Sequence, residues 1–305
     1  MNECVTVREV GPRDGLQMAQ ARMPTEVKIR WIGAIAAAGV PDIEVGSFVP
    51  PKVIPQMADT AEVVRAVRGL PCLVVALAPN LKGAQRAFEA GARRVTIPVS
   101  VSEGHSRANT NRSTEEAVAE AGRIVAWGRA AGIPLEVEAG CSTAFGCSID
   151  GVVPERRVVE VAAALAAVGV DRIALADTVG YAHPGQIRAM VRAVRAEVGG
   201  RLAGLHLHDT MGLGLANALA GLDEGIRSFD ASLAGLGGCP YAPGASGNIV
   251  TEDLVFMLES MGFSTGISLD RLVAARAFLA EGLPGETTRG GVARAGLPRT
   301  FRAAA

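Results

Sequence analysis

The sequence predicts an α/β protein, a closed (β/α)8 TIM barrel with a C-terminal helical extension. Short β-branched runs alternate with longer Ala-, Val- and Arg-rich stretches of helical period, eight times in 305 residues. Parallel strands need crossover helices, and eight such strands can close into a barrel. The 49% of hydrophobic residues supply a large core and exclude a disordered chain. The alternative is a doubly wound open sheet, but no Gly-x-Gly-x-x-Gly turn follows the first predicted strand.

Each element of the barrel has its own local signal. Strands are predicted at residues 5–10, 42–46, 72–77, 94–98, 135–138, 172–176, 202–208 and 228–232. Helices are predicted near residues 25–37, 60–68, 81–90, 114–130, 155–167, 184–197, 214–224 and 250–261. Ser113 and Glu116 have the spacing of a capping box, and Pro154 and Pro184 fall where a first-turn proline is tolerated. An Ala-Gly or Val-Gly pair followed by an apolar residue, typical of a glycine helix stop, recurs at residues 38–40, 90–92, 131–133 and 168–170.

The C-terminal part of the chain is predicted to contain one more helix, from residue 268 to residue 281. Residues 1–282 therefore form the catalytic barrel domain with its extension. Residues 283–305 are rich in Gly, Arg, Thr and Ala, with little periodicity. We expect them to be a flexible tail.

Composition excludes several classes of function. The net charge of −1 leaves no bulk positive field for nucleic acid or for an anionic membrane. No apolar run reaches the roughly 18–20 residues of a membrane helix, and the first residues lack the features of a secretory signal. Five cysteines without regular spacing favour free thiols in a reducing compartment. A cytoplasmic protein is expected.

Two histidines at the end of the seventh predicted strand are the strongest chemical signal. His206 and His208 are two of only four histidines, and residues two apart on a strand point to the same face. Two polar residues in a packed interior are the alternative interpretation. With Asp14 and Asn248 they make a mixed nitrogen and oxygen set that suits Mg²⁺ or Mn²⁺, with zinc as an alternative.

Charged residues also follow other predicted strands, where barrel enzymes place their chemistry. Arg13 and Asp14 follow the first strand and, as a dipeptide alone, would suit a surface ion pair. At a barrel rim, a fixed guanidinium instead stabilises a developing oxyanion. Glu44 and Asp177 are candidate buried acids that bond to Arg13 and to a histidine ring nitrogen, respectively.

A glycine-rich stretch, residues 235–247, follows the eighth strand and carries Cys239. A plain surface loop is one interpretation. A loop over the barrel mouth would instead carry the thiol into the site as a general acid or base when it closes.

Taken together, the motifs resemble the 3-hydroxy-3-methylglutaryl-CoA lyase family, metal-dependent barrel enzymes related to Claisen-type synthases. The resemblance runs over residues 5–265, and the cysteine-bearing loop is highly specific to the lyase branch. The matching stretches are Val-Gly-Pro-Arg-Asp-Gly-Leu-Gln at 10–17, Ser-Phe-Val-Pro-Pro-Lys-Val-Ile-Pro-Gln-Met at 47–57, Ala-Pro-Asn-Leu-Lys-Gly at 78–83, His-Leu-His-Asp-Thr at 206–210, Ala-Gly-Leu-Gly-Gly-Cys-Pro-Tyr-Ala at 234–242, Gly-Ala-Ser-Gly-Asn at 244–248 and Thr-Glu-Asp-Leu at 251–254.

The resemblance implies a function and a site. It implies cleavage of a 3-hydroxyacyl-CoA to acetyl-CoA and a ketoacid such as acetoacetate, a step of leucine catabolism, by a homodimer. The implied metal ligands are Asp14, His206, His208 and Asn248. Arg13 would neutralise the enolate, Cys239 would lie on the catalytic lid, and Glu44 and Asp177 would support the site. Ser47, Asn109 and Asn111 are the candidate contacts to the acyl-CoA thioester.

The chain departs from the family pattern at three places. Residues 18–20 are Met-Ala-Gln where the family has Asn-Glu-Lys, and His105 replaces a Phe. Gly140 stands near the place of a family Tyr, which would enlarge the acyl pocket for a substituent longer than methyl. Two alternative functions remain: a Claisen-type synthase, whose members lack the Gly-Gly-Cys-Pro-Tyr loop, and a non-catalytic ligand-binding barrel.

Overall fold

A closed barrel of eight parallel strands forms the centre of the computed structural model, which describes residues 3–238 and 246–303. Each strand pairs with the next along the chain, and the eighth pairs with the first, which confirms the predicted fold class. The strands are β1 Thr6–Glu9, β2 Asp42–Ser47, β3 Leu73–Leu77, β4 Arg94–Ser100, β5 Glu136–Ser142, β6 Arg172–Asp177, β7 Leu202–Leu207 and β8 Ser228–Ala231. Consecutive parallel strands require a crossover on the outside, and the helices supply it.

The helices surround the barrel in the predicted order. They are α1 Thr25–Ala37, α2 Thr60–Val67, α3 Leu81–Ala90, α4 Glu103–Thr110, α5 Thr114–Ala130, α6 Glu155–Ala167, α7 Pro184–Val198, α8 Gly214–Asp223, α9 Thr251–Ser260, α10 Leu269–Ala274, α11 Ala277–Gly282 and α12 Gly291–Ala295. At the start of α5, Ser113 accepts from the amide of Glu116 at 3.0 Å, and the Glu116 carboxylate accepts from the amide of Ser113 at 2.6 Å. The predicted capping box is confirmed. None of the described helices is long and apolar enough to cross a membrane.

Three local predictions need correction. The helix predicted at residues 268–281 is two short helices, α10 and α11. Strand β5 extends to Ser142, so Gly140 and the buried Cys141 are strand residues rather than loop residues. The run Ala-Gly-Cys-Ser is typical of a turn, but seven paired residues of β4 hold it in the sheet. Helix α4 was not predicted, because its polar sequence has no apolar period; Ser102 caps it by accepting from the amide of His105 at 3.3 Å.

The C-terminal segment has more contacts with the barrel than the expectation of a flexible tail implies. Helix α12 begins where Asp253 of α9 accepts from the amides of Gly291 and Val292 at 2.7 and 2.8 Å. The Val292 side chain is buried. A carboxylate at a helix start satisfies amide donors that have no partner within the helix. This segment shows no periodicity because its buried and packed side chains are irregularly spaced: Leu283, Val292, Leu297 and Phe301.

Charged side chains fill the lower barrel interior, while the apolar core lies between strands and helices. Arg8 of β1 makes a bidentate pair with Asp230 of β8 at 2.7 and 2.8 Å, and lies 2.7 Å from the Glu138 carboxylate of β5. All three side chains are buried. Removing one partner from a buried ion pair is costly, because the other charge stays unpaired. This charged floor ties three strands together beneath the mouth of the barrel.

The four cysteines among the described residues are free thiols: Cys4, Cys72, Cys141 and Cys147.

Glu9 is a buried acid at the end of β1. Its carboxylate accepts from the amides of Gly11 and Leu233, both at 2.8 Å, and from the hydroxyl of Thr251 at 2.7 Å. Burial outweighs these hydrogen bonds and raises the pKa of Glu9 from 4.5 to about 8.

We expect Glu9→Gln to gain stability over the parent as the pH rises. Because the folded pKa lies above the unfolded one, the parent loses stability between about pH 4.5 and about pH 8 and does not recover it above that range. Glutamine keeps the two amide contacts and donates to Thr251. The difference in Tm between variant and parent, measured from pH 5 to pH 9, should therefore grow in favour of the variant. The exposed Glu89→Gln is the control, and a pH-independent difference for Glu9→Gln would contradict the assignment.

Candidate active site

The carboxyl ends of the strands open on a cavity of about 620 Å³. It extends down to the charged floor and outward to helix α4. Seven of the candidate site residues predicted from the sequence line it: Arg13, Asp14, Glu44, Ser47, Asn109, His206 and His208. The structure therefore brings together, at the functional end of the barrel, side chains that lie far apart along the chain.

Three side chains converge on one point at the edge of this cavity. One potential ligand atom each of Asp14, His206 and His208 lies within 4.8 Å of the others. The Nε2 atoms of the two histidines are 3.1 Å apart, and Asp14 Oδ2 lies 3.9 Å from that of His206 and 3.6 Å from that of His208. Such a set of two nitrogens and a carboxylate oxygen is a potential site for a divalent cation.

Asn248 contacts two members of this group. The Nδ2 atom of Asn248 donates to Asp14 Oδ2 at 2.6 Å, and the backbone of Asn248 forms an isolated β-bridge with that of His208. The side chain is fully buried, yet Asn248 Oδ1 has no hydrogen-bond partner, and neither has Nδ1 of His208. A buried carbonyl oxygen without a partner is unfavourable unless a cation or donor satisfies it. The four residues fit a divalent cation.

A wide π-helical turn, Gly11–Gly15, places Arg13 and Asp14 in the barrel mouth. The amides of Arg13 and Asp14 both donate to Val10 O, at 3.0 and 2.7 Å. The guanidinium of Arg13 then bonds Asp14 Oδ1 and Glu44 Oε2, each at 2.5 Å. The contact between Arg13 and Glu44 is the one expected from the sequence. Two carboxylates, one in the turn after β1 and one on β2, therefore hold the guanidinium in one orientation.

The charges around Asp14 keep it ionised. Burial alone would raise the pKa of Asp14, but Arg13 and the two imidazoles outweigh burial and hold it well below its usual range. Burial and the neighbouring His206 lower the pKa of His208. An ionised carboxylate beside a neutral imidazole is the protonation state that binds a metal.

Asp230, rather than Asp177, supports a histidine. The sequence-based expectation that Asp177 bonds a histidine ring nitrogen is wrong. In the register of β7 and β8, His206 lies opposite Asp230, and His206 Nδ1 is 3.1 Å from Asp230 Oδ2. Burial alone would raise the pKa of Asp230, but Arg8 and His206 lower it. The contact with Asp230 occupies Nδ1 and leaves Nε2 as the ring nitrogen on the side of Asp14 and His208.

Asp177, at the end of β6, bonds backbone amides of the loop that follows the strand. Its carboxylate accepts from the amides of Tyr181 and Ala182 at 3.0 and 3.2 Å and so closes the turn that follows the strand. Burial raises the pKa of Asp177 to about 6. Asp230 has one signal in the sequence: it is a carboxylate inside an otherwise largely apolar strand.

We expect Asp230→Asn to weaken metal binding more than Asp177→Asn does. An outer partner of a ligand histidine contributes about 10- to 100-fold in metal affinity or activity. Titration with Mn²⁺, followed by electron paramagnetic resonance, measures this for both variants. Equal affinity of the two variants, or a larger loss for Asp177→Asn, would contradict the assignment of Asp230.

The remaining predicted residues lie at the rim or outside the described part. Ser47 ends β2 and accepts from the amide of Val49 at 3.3 Å, while Asn109 lies on α4 at the cavity wall. Asn111 is exposed and ends α4 with a left-handed backbone, φ 55°. Cys239 lies outside the described residues. His105 lines the cavity, with its Nδ1 2.7 Å from Ser100 Oγ.

Comparisons with known proteins agree with this architecture. A family model described as HMGL-like matches residues 5–279. The chain is 43% identical to the mouse mitochondrial hydroxymethylglutaryl-CoA lyase over 285 residues, 93% of this chain and 87% of the relative. It is 40% identical to the Bacillus subtilis hydroxymethylglutaryl-CoA lyase YngG, over 91% and 92% of the two chains. An HMG-CoA lyase from Acinetobacter baumannii, solved in complex with coenzyme A and 3-methylmalate, superposes with a TM-score of 0.90 at 40% identity, covering 98% of this chain and 97% of that one.

Proposed function

The chain belongs to the HMGL-like family, and on that basis we propose that it is a carbon–carbon lyase. Its substrate is 3-hydroxy-3-methylglutaryl-CoA or a close 3-hydroxy-3-alkylglutaryl-CoA, and its products are acetyl-CoA and a 3-ketoacid such as acetoacetate. The observation that carries the proposal is the convergence of Asp14, His206, His208 and Asn248 beside the guanidinium of Arg13. The relatives at 40–44% identity carry the same activity in their names.

The reaction breaks the bond between C2 and C3 of the acyl chain. The 3-hydroxyl gives up its proton and becomes the ketone of the ketoacid, while the electron pair of the broken bond forms the enolate of acetyl-CoA. That enolate then takes a proton at carbon, so protons and electrons balance without an oxidant. The chemistry needs two things from the protein: an environment that favours the alkoxide and a positive charge at the enolate.

The chain's own residues meet both needs. Asp14, His206, His208 and Asn248 would hold Mg²⁺ or Mn²⁺, which when bound supplies Lewis-acid stabilisation to oxygens of the substrate. Arg13 faces the same cavity and stabilises the negative charge that develops on the thioester oxygen.

Other residues support this chemistry. Glu44 keeps the Arg13 guanidinium in place, and the charged floor closes the cavity on the far side from solvent. Cys239 is the proposed proton donor to the enolate, and Asp177 supports the site by ordering the loop after β6.

The lyase is favoured over the Claisen-type synthase and over a binding barrel without activity. The relatives that cover most of this chain are named lyases, and the Gly-Gly-Cys-Pro-Tyr stretch at 237–241 belongs to that branch. A barrel without activity gives no reason for the buried Oδ1 of Asn248 beside two histidines, because a buried oxygen without a hydrogen-bond partner lowers stability.

The inner wall of the cavity supports a wider substrate range than the methyl compound. Gly140 of β5 and Ala174 and Ala176 of β6 line it, and a Cβ built at Gly140 would meet nothing within 4 Å. Barrel interiors are usually filled by bulky branched side chains, so this layer is unusually open. We therefore include 3-alkyl substituents longer than methyl in the proposal.

Further expectations accompany this assignment. Ser47, Asn109 and Asn111 are proposed contacts of the coenzyme A portion, and the Acinetobacter baumannii structure with coenzyme A supports a thioester ligand in this fold. We also propose a homodimer, a cytoplasmic location and a role in leucine catabolism. A cytoplasmic relative is known in mouse, at 40% identity.

Release of acetyl-CoA from a panel of 3-hydroxy-3-alkylglutaryl-CoA thioesters tests the function. We expect turnover with Mg²⁺ or Mn²⁺, loss of turnover in EDTA and recovery when metal is restored. Gly140→Leu should retain the methyl substrate and lose the longer ones. No turnover of any thioester with either metal would refute the proposal.

A further inference from the structure

Two short backbone stretches meet beside the proposed metal site. We call residues 234–238 and 246–248 the neck; in the sequence, the residues between them include Cys239. The two halves touch, since a Cβ built at Gly247 would lie 2.4 Å from the carbonyl of Gly237. Asn248 belongs to the second half, and the first half also contacts its side chain: a Cβ at Gly237 would lie 3.1 Å from Asn248 Nδ2. The position of Asn248 therefore depends on how the neck is held.

One side chain from the C-terminal segment bonds both halves of the neck. Arg289 Nη2 donates to the carbonyl oxygens of Gly235 at 2.8 Å and Asn248 at 3.2 Å, and to that of Ser246. The amide of Arg289 donates to Ala234 O at 2.8 Å. Nη2 carries two N–H groups, so the three carbonyl oxygens share them. The planar guanidinium holds these donors in fixed directions, which a lysine ammonium on a flexible stem does not do.

The surrounding residues hold Arg289 where it reaches the neck. Arg276 Nη1 donates to Arg289 O at 2.8 Å and to Glu252 Oε1 at 2.6 Å. Asp253 binds the amides of Gly291 and Val292, which follow Arg289 in the chain. Asp209 Oδ2 lies 3.9 Å from Arg289 Nη1, the one carboxylate paired with it among the described residues. The segment is therefore anchored at the arginine itself and at the two residues that begin α12.

We propose that Arg289 is a positioning residue for Asn248 and, through it, for the bound divalent cation. The guanidinium fixes the carbonyls on both sides of the neck, so that the Asn248 side chain, whose buried Oδ1 has no hydrogen-bond partner, stays in contact with Asp14. The proposal rests on the proposed function in one respect, that Asn248 is a ligand of the metal. It gives the C-terminal segment, which has no sequence motif, a part in the site.

The test measures Mn²⁺ binding to the full chain by electron paramagnetic resonance, together with kcat and KM for the thioester. Arg289→Ala should bind Mn²⁺ about 10-fold or more weakly, in the range seen for outer partners of metal ligands. Its kcat at fixed metal should fall while KM for the thioester changes little. Guanidinium ion at millimolar concentration should restore part of both losses, because it supplies the missing donors. Arg289→Lys and Arg289→Gln, which keep some donors, should lie between the parent and Arg289→Ala.

Arg294→Ala is the matched control, since Arg294 is an exposed arginine of the same segment. It should bind Mn²⁺ as the parent does and show no response to guanidinium. Unchanged Mn²⁺ affinity in a folded Arg289→Ala overturns the inference and leaves the proposed function intact. A loss that guanidinium does not restore, equal in the Ala, Lys and Gln variants, also overturns it, because it indicates a structural role only. Failure of the parent to bind Mn²⁺ overturns the metal site itself.

Discussion

His208→Ala is expected to abolish metal binding and to reduce acetyl-CoA release by more than about 100-fold, since loss of an outer partner alone costs 10- to 100-fold. His208 is buried, its Nε2 lies 3.1 Å from that of His206, and Asp14 lies 3.6 Å away. Alanine removes one of four proposed ligands and a side chain that helps to keep Asp14 ionised. Mn²⁺ titration and turnover at saturating metal measure the two effects separately.

His183→Ala is the control for this experiment. His183 is exposed and caps α7 by accepting from the amide of Gln186. Its loss should cost about 1 kcal/mol of stability, the usual contribution of a cap, without affecting Mn²⁺ affinity. Undiminished Mn²⁺ binding by a folded His208→Ala would mean that the histidine pair is structural and that the proposed cation site is wrong.

Arg13→Lys is expected to reduce kcat by about 100- to 1000-fold, the usual cost of removing one preorganised donor from a developing oxyanion. Lysine keeps the positive charge, but it does not reproduce the two hydrogen bonds that orient the guanidinium between Asp14 and Glu44. Mn²⁺ affinity should change much less than kcat, because Arg13 is not a ligand. Steady-state kinetics at saturating Mn²⁺ isolate the chemical effect.

An exposed arginine provides the comparison. Arg65→Lys changes the same chemical group on the outer surface of α2 and should leave both kcat and Mn²⁺ affinity at the parent values. If Arg13→Lys retained full kcat, the orientation of the guanidinium would have no part in the reaction. Charge alone would then suffice at that position.

The fold was predictable because its signals are local. Strand and helix periods, the capping box at Ser113 and the glycine stops each depend on residues within one or two turns. The errors have local causes as well. Helix α4 is too polar to show an apolar period, and the end of β5, which includes Gly140, has the composition of a turn. Pairing with β4 overrides that composition.

The candidate site was predictable in part. The spacing of His206 and His208 guarantees a common face on a strand, and strand ends bring Arg13 and Asp14 to the same rim. Asp177 was paired with a histidine wrongly, because sequence order does not reveal which acid of a neighbouring strand faces the ring. The register between β7 and β8 decides that, and it selects Asp230.

The sequence by itself determined the alternation of eight strands and helices and the identity of the residues at the strand ends, because both depend on neighbours along the chain. Only the tertiary structure decided which of these residues touch. The contact between Asn248 and Asp14 spans 234 positions, and the pair of Arg8 and Asp230 spans 222. Such contacts exist only after the eighth strand has closed on the first, since closure sets the register of every strand. The same closure brings Arg289, from a segment without a motif, onto the neck beside the site.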